Sequence, residues 1–116
     1  VKRNFSLKKK LVIGTANFGQ TYGLSKKKVS KQEQSKIFKF LKKNEINFLD
    51  TAPIYGNSEK IIGSNNPSNF QIISKLPKIN KRVKNVEKWT IQNVQNSLLK
   101  LKKKNYTQFL YIIIKT

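Results

Sequence analysis

The sequence contains no cysteine and no histidine, and only five of its 116 residues are acidic. The absence of cysteine excludes disulfides, thiolate metal sites and cysteine nucleophiles. The absence of histidine removes the side chain that most often serves as a general base and as a metal ligand. No metal site is therefore predicted.

Long apolar runs are missing as well. No run approaches the roughly 20 residues that are needed to cross a bilayer. The opening VKRNFSLKKKLVIG is basic, but its apolar stretch is too short for a signal peptide. We therefore expect a cytoplasmic protein without a membrane partner, and no oligomeric state is predicted.

Positive charge is present in excess, with 25 Lys and Arg residues and a formal net charge of +20. Such a charge is compatible with nucleic-acid binding. However, only Arg3 and Arg82 offer the planar fork that binds phosphates and bases in a bidentate manner. The lysines are spread along the chain without one dominant stripe. The charge is interpreted as a solvated surface, and a basic module that binds nucleic acid or another polyanion is kept as the alternative function.

Short apolar runs alternate with helical patterns along the chain. Four runs predict buried strands: residues 10–16, 46–52, 70–76 and 109–114. Three intervening stretches predict helices: residues 30–44, 57–63 and 86–103. The first helix begins with a capping box formed by Ser30 and Glu33, and residues 17–28 before it are predicted to be a glycine-punctuated loop.

This alternation predicts an α/β fold in which the strands pair in parallel, in the order 1-2-3-4, through right-handed crossovers. Both faces of such strands are covered, which explains why they are continuously apolar. Four strands can form a small open sheet or part of a larger barrel, and periodicity does not choose between the two.

Three side chains with complementary chemistry follow two neighbouring strands. Asp50 ends the second strand, Tyr55 follows five residues later, and Lys75 lies at the end of the third strand. Because the carboxyl ends of parallel strands meet at one edge of the sheet, we expect a carboxylate, a phenol and an amine to converge there.

The chemistry of such a trio is specific. A phenol with an ordinary pKa of about 10 is a poor acid at neutral pH, but a nearby ammonium favours the phenolate. A carboxylate beside the ammonium keeps it charged and correctly oriented. The phenol can then donate a proton to a carbonyl oxygen that gains negative charge, while a cofactor supplies the hydride. Carbonyl reduction or its reverse is predicted.

The sequence around these residues resembles that of a known family. Residues 50–59 (DTAPIYGNSE) closely resemble the aldo/keto reductase signature, D-T-A-x-x-Y-G followed by S-E. Weaker matches follow the family's order along nearly the whole chain: residues 14–16 (GTA) with Phe18-Gly19 and Tyr22-Gly23, residues 74–76 (SKL), and residues 97–101 (SLLKL).

The resemblance implies a (β/α)8 TIM barrel that binds NADPH, or sometimes NADH, without a Rossmann domain. It implies an NADP-dependent oxidoreductase that reduces aldehydes or ketones to alcohols, with a small carbonyl compound as substrate. Carried over to this chain, the resemblance makes Tyr55 the general acid. Lys75 is then the residue whose positive charge favours loss of the Tyr55 proton, and Asp50 is the partner of Lys75.

The chain departs from the family pattern in two respects. The histidine that ends the family's fourth strand is missing, and its position falls near residues 113–115. The second half of the barrel, which supplies most of the cofactor pocket in the family, is also missing, so cofactor-binding residues are not assigned. Residues 1–116 are therefore expected to be the N-terminal part of a truncated barrel domain, with four parallel strands, three intervening helices, and weak or no activity by itself.

Other conspicuous side chains have structural interpretations. Phe18 and Tyr22 either line a substrate mouth or pack the first loop. Trp89 is predicted to pack, as are the core-facing positions of the last helix: Ile91, Val94, Leu98 and Leu101. The run of lysines at 102–104 is predicted to be a solvated helix end.

Overall fold

The computed structural model describes residues 11–21, 23–24, 26–104 and 109–114, the last of these ranges by its backbone. Four strands form one parallel sheet in the order β1-β2-β3-β4: β1 (Val12–Gly14), β2 (Phe48–Asp50), β3 (Gln71–Leu76) and β4 (Phe109–Ile114). The predicted strand order and parallel pairing are confirmed. The predicted strand over residues 10–16 is shorter in the structure, and Lys10 lies outside the described residues.

In the described part of the chain, four helices connect or follow the strands: α1 (Ala16–Gly19), α2 (Lys31–Lys43), α3 (Ser58–Ser64) and α4 (Val86–Leu101). The predicted capping box begins α2. The Ser30 amide donates to Glu33 Oε2 at 2.8 Å, and the Glu33 amide donates to Ser30 Oγ at 3.2 Å. A 3-10 turn, Pro67–Asn69, precedes β3.

The first loop was predicted wrongly at its start, because residues 16–19 form the single helical turn α1. This helical turn is stabilised by a contact with a residue that is distant in the sequence. Phe18 in this turn is only 3% exposed, and its ring lies 5.4 Å from that of Phe38 on α2, measured between ring centroids. One turn is too short to produce a helical period in the sequence.

The main core lies between the sheet and the helices. Phe38 also contacts Phe70, with ring centroids 5.8 Å apart in an edge-to-face arrangement that aromatic pairs favour. The aromatic cluster is surrounded by buried aliphatic residues from both layers: Leu41, Ile46, Leu49, Ile62, Ile72 and Leu101.

A second, smaller cluster joins α4 to β3 through Val94, Leu98 and Leu76. Trp89 packs against this cluster, as expected from its place on the helix. Ile91 was predicted to face the core, but it is 44% exposed. Near the N-terminal end of α4, Trp89 contacts the smaller cluster instead of Ile91.

The lysine run after α4 was predicted to be solvated, which is wrong for Lys103. This side chain is 7% exposed, and its Nζ donates to Pro67 O at 2.6 Å and to Phe70 O at 2.8 Å. Lys102 has a left-handed backbone with φ of 52° and ends the helix, after which Lys103 reaches the 3-10 turn. Desolvation by burial lowers the pKa of Lys103.

Lys103→Met is expected to lower the free energy of unfolding by about 1–3 kcal/mol, because two carbonyls lose their donor. Urea denaturation measures this loss. Lys102→Met, at the exposed neighbouring position, is the control and should have little effect. Equal stability of the two variants would contradict the assigned role of Lys103.

The difference in stability between the wild-type chain and Lys103→Met should depend on pH in a defined direction. The pKa of Lys103 is lower in the folded chain than its ordinary value of 10.5. At pH values between the pKa of the folded chain and 10.5, the unfolded chain therefore binds more protons than the folded chain. The advantage of the wild-type chain over Lys103→Met should therefore grow as the pH rises through this window. Denaturation at a series of alkaline pH values measures the difference, and an advantage that shrinks would refute the assignment.

Candidate active site

The strand register sets Asp50 and Lys75 on one face of the sheet. Asp50 is the register partner of Ile73, and Lys75 follows two residues later on β3. Side chains alternate along a strand, so Lys75 points away from the helices, whereas Ser74 and Leu76 are buried on the helix side.

The ammonium of Lys75 connects the expected site residues. Lys75 Nζ forms an ion pair with Asp50 Oδ1 and donates to Thr51 O at 3.1 Å. The same Nζ lies 5.2 Å from the centroid of the Tyr55 ring, within the reach of a cation–π contact. The structure thus brings together all three residues that the sequence selected, at the carboxyl ends of β2 and β3.

The loop that carries Tyr55 is held against α1. The Tyr55 amide donates to Ala52 O at 3.0 Å, and Tyr55 O accepts from the Ser58 amide at 3.1 Å. Gly19 lies so close that an added Cβ would be 1.8 Å from Tyr55 O. Gly56 adopts a φ of 57°, a conformation that glycine tolerates best. This close backbone contact places the phenol.

A cavity of about 510 Å³ adjoins the phenol and the ammonium. Its lining combines aliphatic surface with the Tyr55 ring and two amines: Ala52, Pro53, Ile54, Tyr55, Lys75, Leu76, Pro77 and Lys78. Small-molecule sites are commonly of this size and are mostly apolar, with a few polar groups that fix the ligand. The cavity therefore suits a small organic molecule with one hydrogen-bonding group.

Sequence reasoning missed a polar network behind the site. Ser58 Oγ lies 3.0 Å from Thr15 Oγ1, which donates to Asp50 O at 2.9 Å. Glu59 is 1% exposed and accepts a hydrogen bond from Ser74 Oγ at 2.9 Å. The S-E pair that closes the signature was the available signal, but its partners are distant in sequence.

The position of the family histidine can be located on β4. Ile113 is the register partner of Lys75, so this position lies next to Lys75 in the sheet. The chain contains no histidine, and an imidazole is therefore absent where the family resemblance expects one. Lys115, also within the expected range, lies outside the described residues.

Phe18 belongs to the core, so it does not line the mouth of this site. Tyr22 lies outside the described residues. Within the described ranges, no three His, Cys, Asp or Glu residues are placed to hold a metal ion. None of the helices in the described part of the chain combines the length and the apolarity that crossing a membrane requires.

The described strands and helices form successive parallel βα units, and a phenol, an ammonium and a carboxylate meet at the carboxyl edge of the sheet. The sequence matches the aldo/keto reductase family over residues 10–113, and the chain belongs to that family, which is a family of oxidoreductases. Curated proteins gave no match to the chain.

Two similar solved structures are proposed aldo-keto reductases from Pseudomonas aeruginosa. One is 25% identical with a TM-score of 0.65, and the match covers 89% of this chain and 41% of that one. The other is 24% identical with a TM-score of 0.66, covering 89% and 39% respectively. The chain therefore spans about two fifths of the length of these structures, and its fold is part of a (β/α)8 barrel.

Proposed function

We propose that this chain supplies the proton-donating part of an NAD(P)H-dependent site that reduces aldehydes or ketones to alcohols. One observation carries the proposal: Lys75 Nζ pairs with Asp50 and lies 5.2 Å from the Tyr55 ring centroid, beside the cavity. The family's oxidoreductase character supports it. The proposed setting is the cytoplasm, and the proposed substrate is a small carbonyl compound.

Tyr55 is the proposed general acid. Among the described residues none forms a hydrogen bond with its hydroxyl, and Tyr55 lines the cavity in which a carbonyl compound would bind. When the carbonyl carbon accepts hydride, its oxygen takes the Tyr55 proton, and the phenolate is later reprotonated from water. The positive charge of Lys75 stabilises the developing phenolate.

Asp50 acts on Tyr55 indirectly. Its ion pair with Lys75 fixes the ammonium near the phenol, and Thr51 O accepts a second hydrogen bond from the same amine at 3.1 Å. A charge held before the reaction begins costs no reorganisation during it. Asp50 and the Thr51 carbonyl therefore orient the Lys75 ammonium toward Tyr55.

The cavity fits the reacting end of a nicotinamide cofactor together with a small carbonyl compound. Pro53, Ile54 and Pro77 provide apolar surface against which a flat ring can lie, and Tyr55 and Lys75 supply the polar groups. When bound, the reduced cofactor supplies the hydride. The preference for NADPH over NADH rests on the family resemblance.

The direct test joins this chain to the remaining four βα units of a complete family member. We expect NADPH-dependent reduction of small aldehydes by the fusion and negligible reduction by the 116-residue polypeptide alone. The reason is that the nicotinamide must be bound at hydride distance from the carbonyl. Clear turnover by the polypeptide alone, or a folded but inert fusion, would overturn the proposal.

The alternative, a polyanion-binding module, is favoured by the net charge of +20 and by lysines along a groove between α2 and α3: Lys28, Lys31 and Lys60. Binding measurements at increasing salt separate the two functions. Steeply salt-dependent binding to DNA of any sequence favours the module, whereas NADPH binding by the fusion that persists at high salt favours the reductase.

A further inference from the structure

Glu59 is a buried carboxylate without a cationic partner among the described residues. It is 1% exposed, its Oε1 accepts from Ser74 Oγ, and its Oε2 has no hydrogen-bond partner in the described part of the chain. Burying a carboxylate with so few partners is unfavourable. Stability alone therefore does not explain this residue.

The residue that donates to Glu59 is Ser74, which is next to Lys75 on β3. Because side chains alternate on β3, the hydroxyl of Ser74 faces the helices while the amine of Lys75 faces the cavity. The hydrogen bond of 2.9 Å between Ser74 and Glu59 ties this end of β3 to α3. Held in this way, the strand end keeps one orientation, and Lys75 therefore projects toward Asp50 and Tyr55.

The preceding residue holds the neighbouring strand ends. Ser58 Oγ lies 3.0 Å from Thr15 Oγ1, and both the Thr15 amide and its hydroxyl donate to Asp50 O, at 3.0 and 2.9 Å. The Ser58 amide donates to Tyr55 O. The first turn of α3 therefore connects the backbones that carry all three proposed site residues.

We propose that Glu59 is a positioning residue, which holds Lys75 against Asp50 and Tyr55 through Ser74. The proposal rests on the proposed function for its importance, but it concerns geometry that can be measured without turnover. Ser58 holds Asp50 and Tyr55 in the same framework.

NMR of the full 116-residue chain provides the test. Because Lys75 lies over the Tyr55 ring, its side-chain methylene protons should show an upfield ring-current shift. We expect Glu59→Ala to abolish most of this shift while the backbone amide spectrum stays folded. Glu59→Gln should keep the shift, because its amide oxygen can still accept the Ser74 hydrogen bond.

Lys103→Ala is the matched control, since it removes another buried charged side chain with two hydrogen bonds, at the opposite end of β3. It should leave the Lys75 shift unchanged. If Glu59→Ala does not fold, Ser74→Ala is measured in its place and should lose the shift. A shift retained in folded Glu59→Ala or in Ser74→Ala, lost in Glu59→Gln, or lost equally in Lys103→Ala would overturn the inference.

These outcomes are separate from the test of the proposed function. A Lys75 shift that depends on Glu59 in a chain whose fusion is inert would leave the positioning role intact and remove the reductase. An active fusion, together with a Lys75 shift that does not depend on Glu59, would support the reductase and remove the positioning role.

Discussion

Tyr55→Phe, introduced into the barrel completed with the second half of a family member, is expected to lower kcat by about 10²–10⁴-fold, the range for loss of a general acid. The ring that lies 5.2 Å from Lys75 Nζ is retained, so the cavity keeps its shape and KM should change little. Only the transferable proton is lost. Steady-state kinetics with NADPH and a small aldehyde measure both constants.

The control for this experiment is Thr90→Val, which also removes one hydroxyl. Thr90 Oγ1 donates to Val86 O on α4, and neither residue lines the cavity. Its kcat should equal that of the unmodified fusion. A fusion that is indifferent to Tyr55→Phe would show that another group protonates the carbonyl.

Gly19→Ala is expected to destabilise the chain by about 3 kcal/mol, at the upper end of the usual cost of overpacking. The new Cβ would lie 1.8 Å from Tyr55 O, 2.5 Å from the Ser58 amide and 2.7 Å from the Asn57 amide. All three atoms belong to backbone, which cannot rotate away as a flexible side chain can. The methyl group can be accommodated only if α1 separates from the loop that carries the phenol.

Gly14→Ala is the matched control, because an added Cβ there meets nothing within 4 Å. Urea denaturation of both variants measures stability, and the completed barrel measures the accompanying loss of kcat that a displaced Tyr55 should cause. If Gly19→Ala were as stable and as active as Gly14→Ala, the close backbone contact would not be what positions the phenol.

The order of the four strands and of the three longer helices could be predicted from the sequence, because burial patterns and caps are local. Ser30 and Glu33 lie three residues apart and specify the start of α2 without help from the rest of the chain. The sequence also selected Asp50, Tyr55 and Lys75, since strand ends in a parallel sheet share one edge whatever the details of packing.

Features that depend on contacts between distant residues could not be predicted in the same way. The helical turn α1 exists because Phe18 packs against Phe38, 20 residues on. Lys103 was assigned to solvent because its neighbours are lysines, and only the approach of Pro67 and Phe70 shows that it is buried. Nothing near it in sequence signals these acceptors.

The site shows the same division. Residue types and spacing gave the chemistry of the carboxylate, phenol and amine, but they did not give the means by which these groups are held in place. That depends on Ser58 reaching Thr15 across 43 residues, Glu59 reaching Ser74 across 15, and Gly19 lying against Tyr55 O. Such contacts form only when the strands are in register, and tertiary structure alone therefore decided how the three groups are positioned.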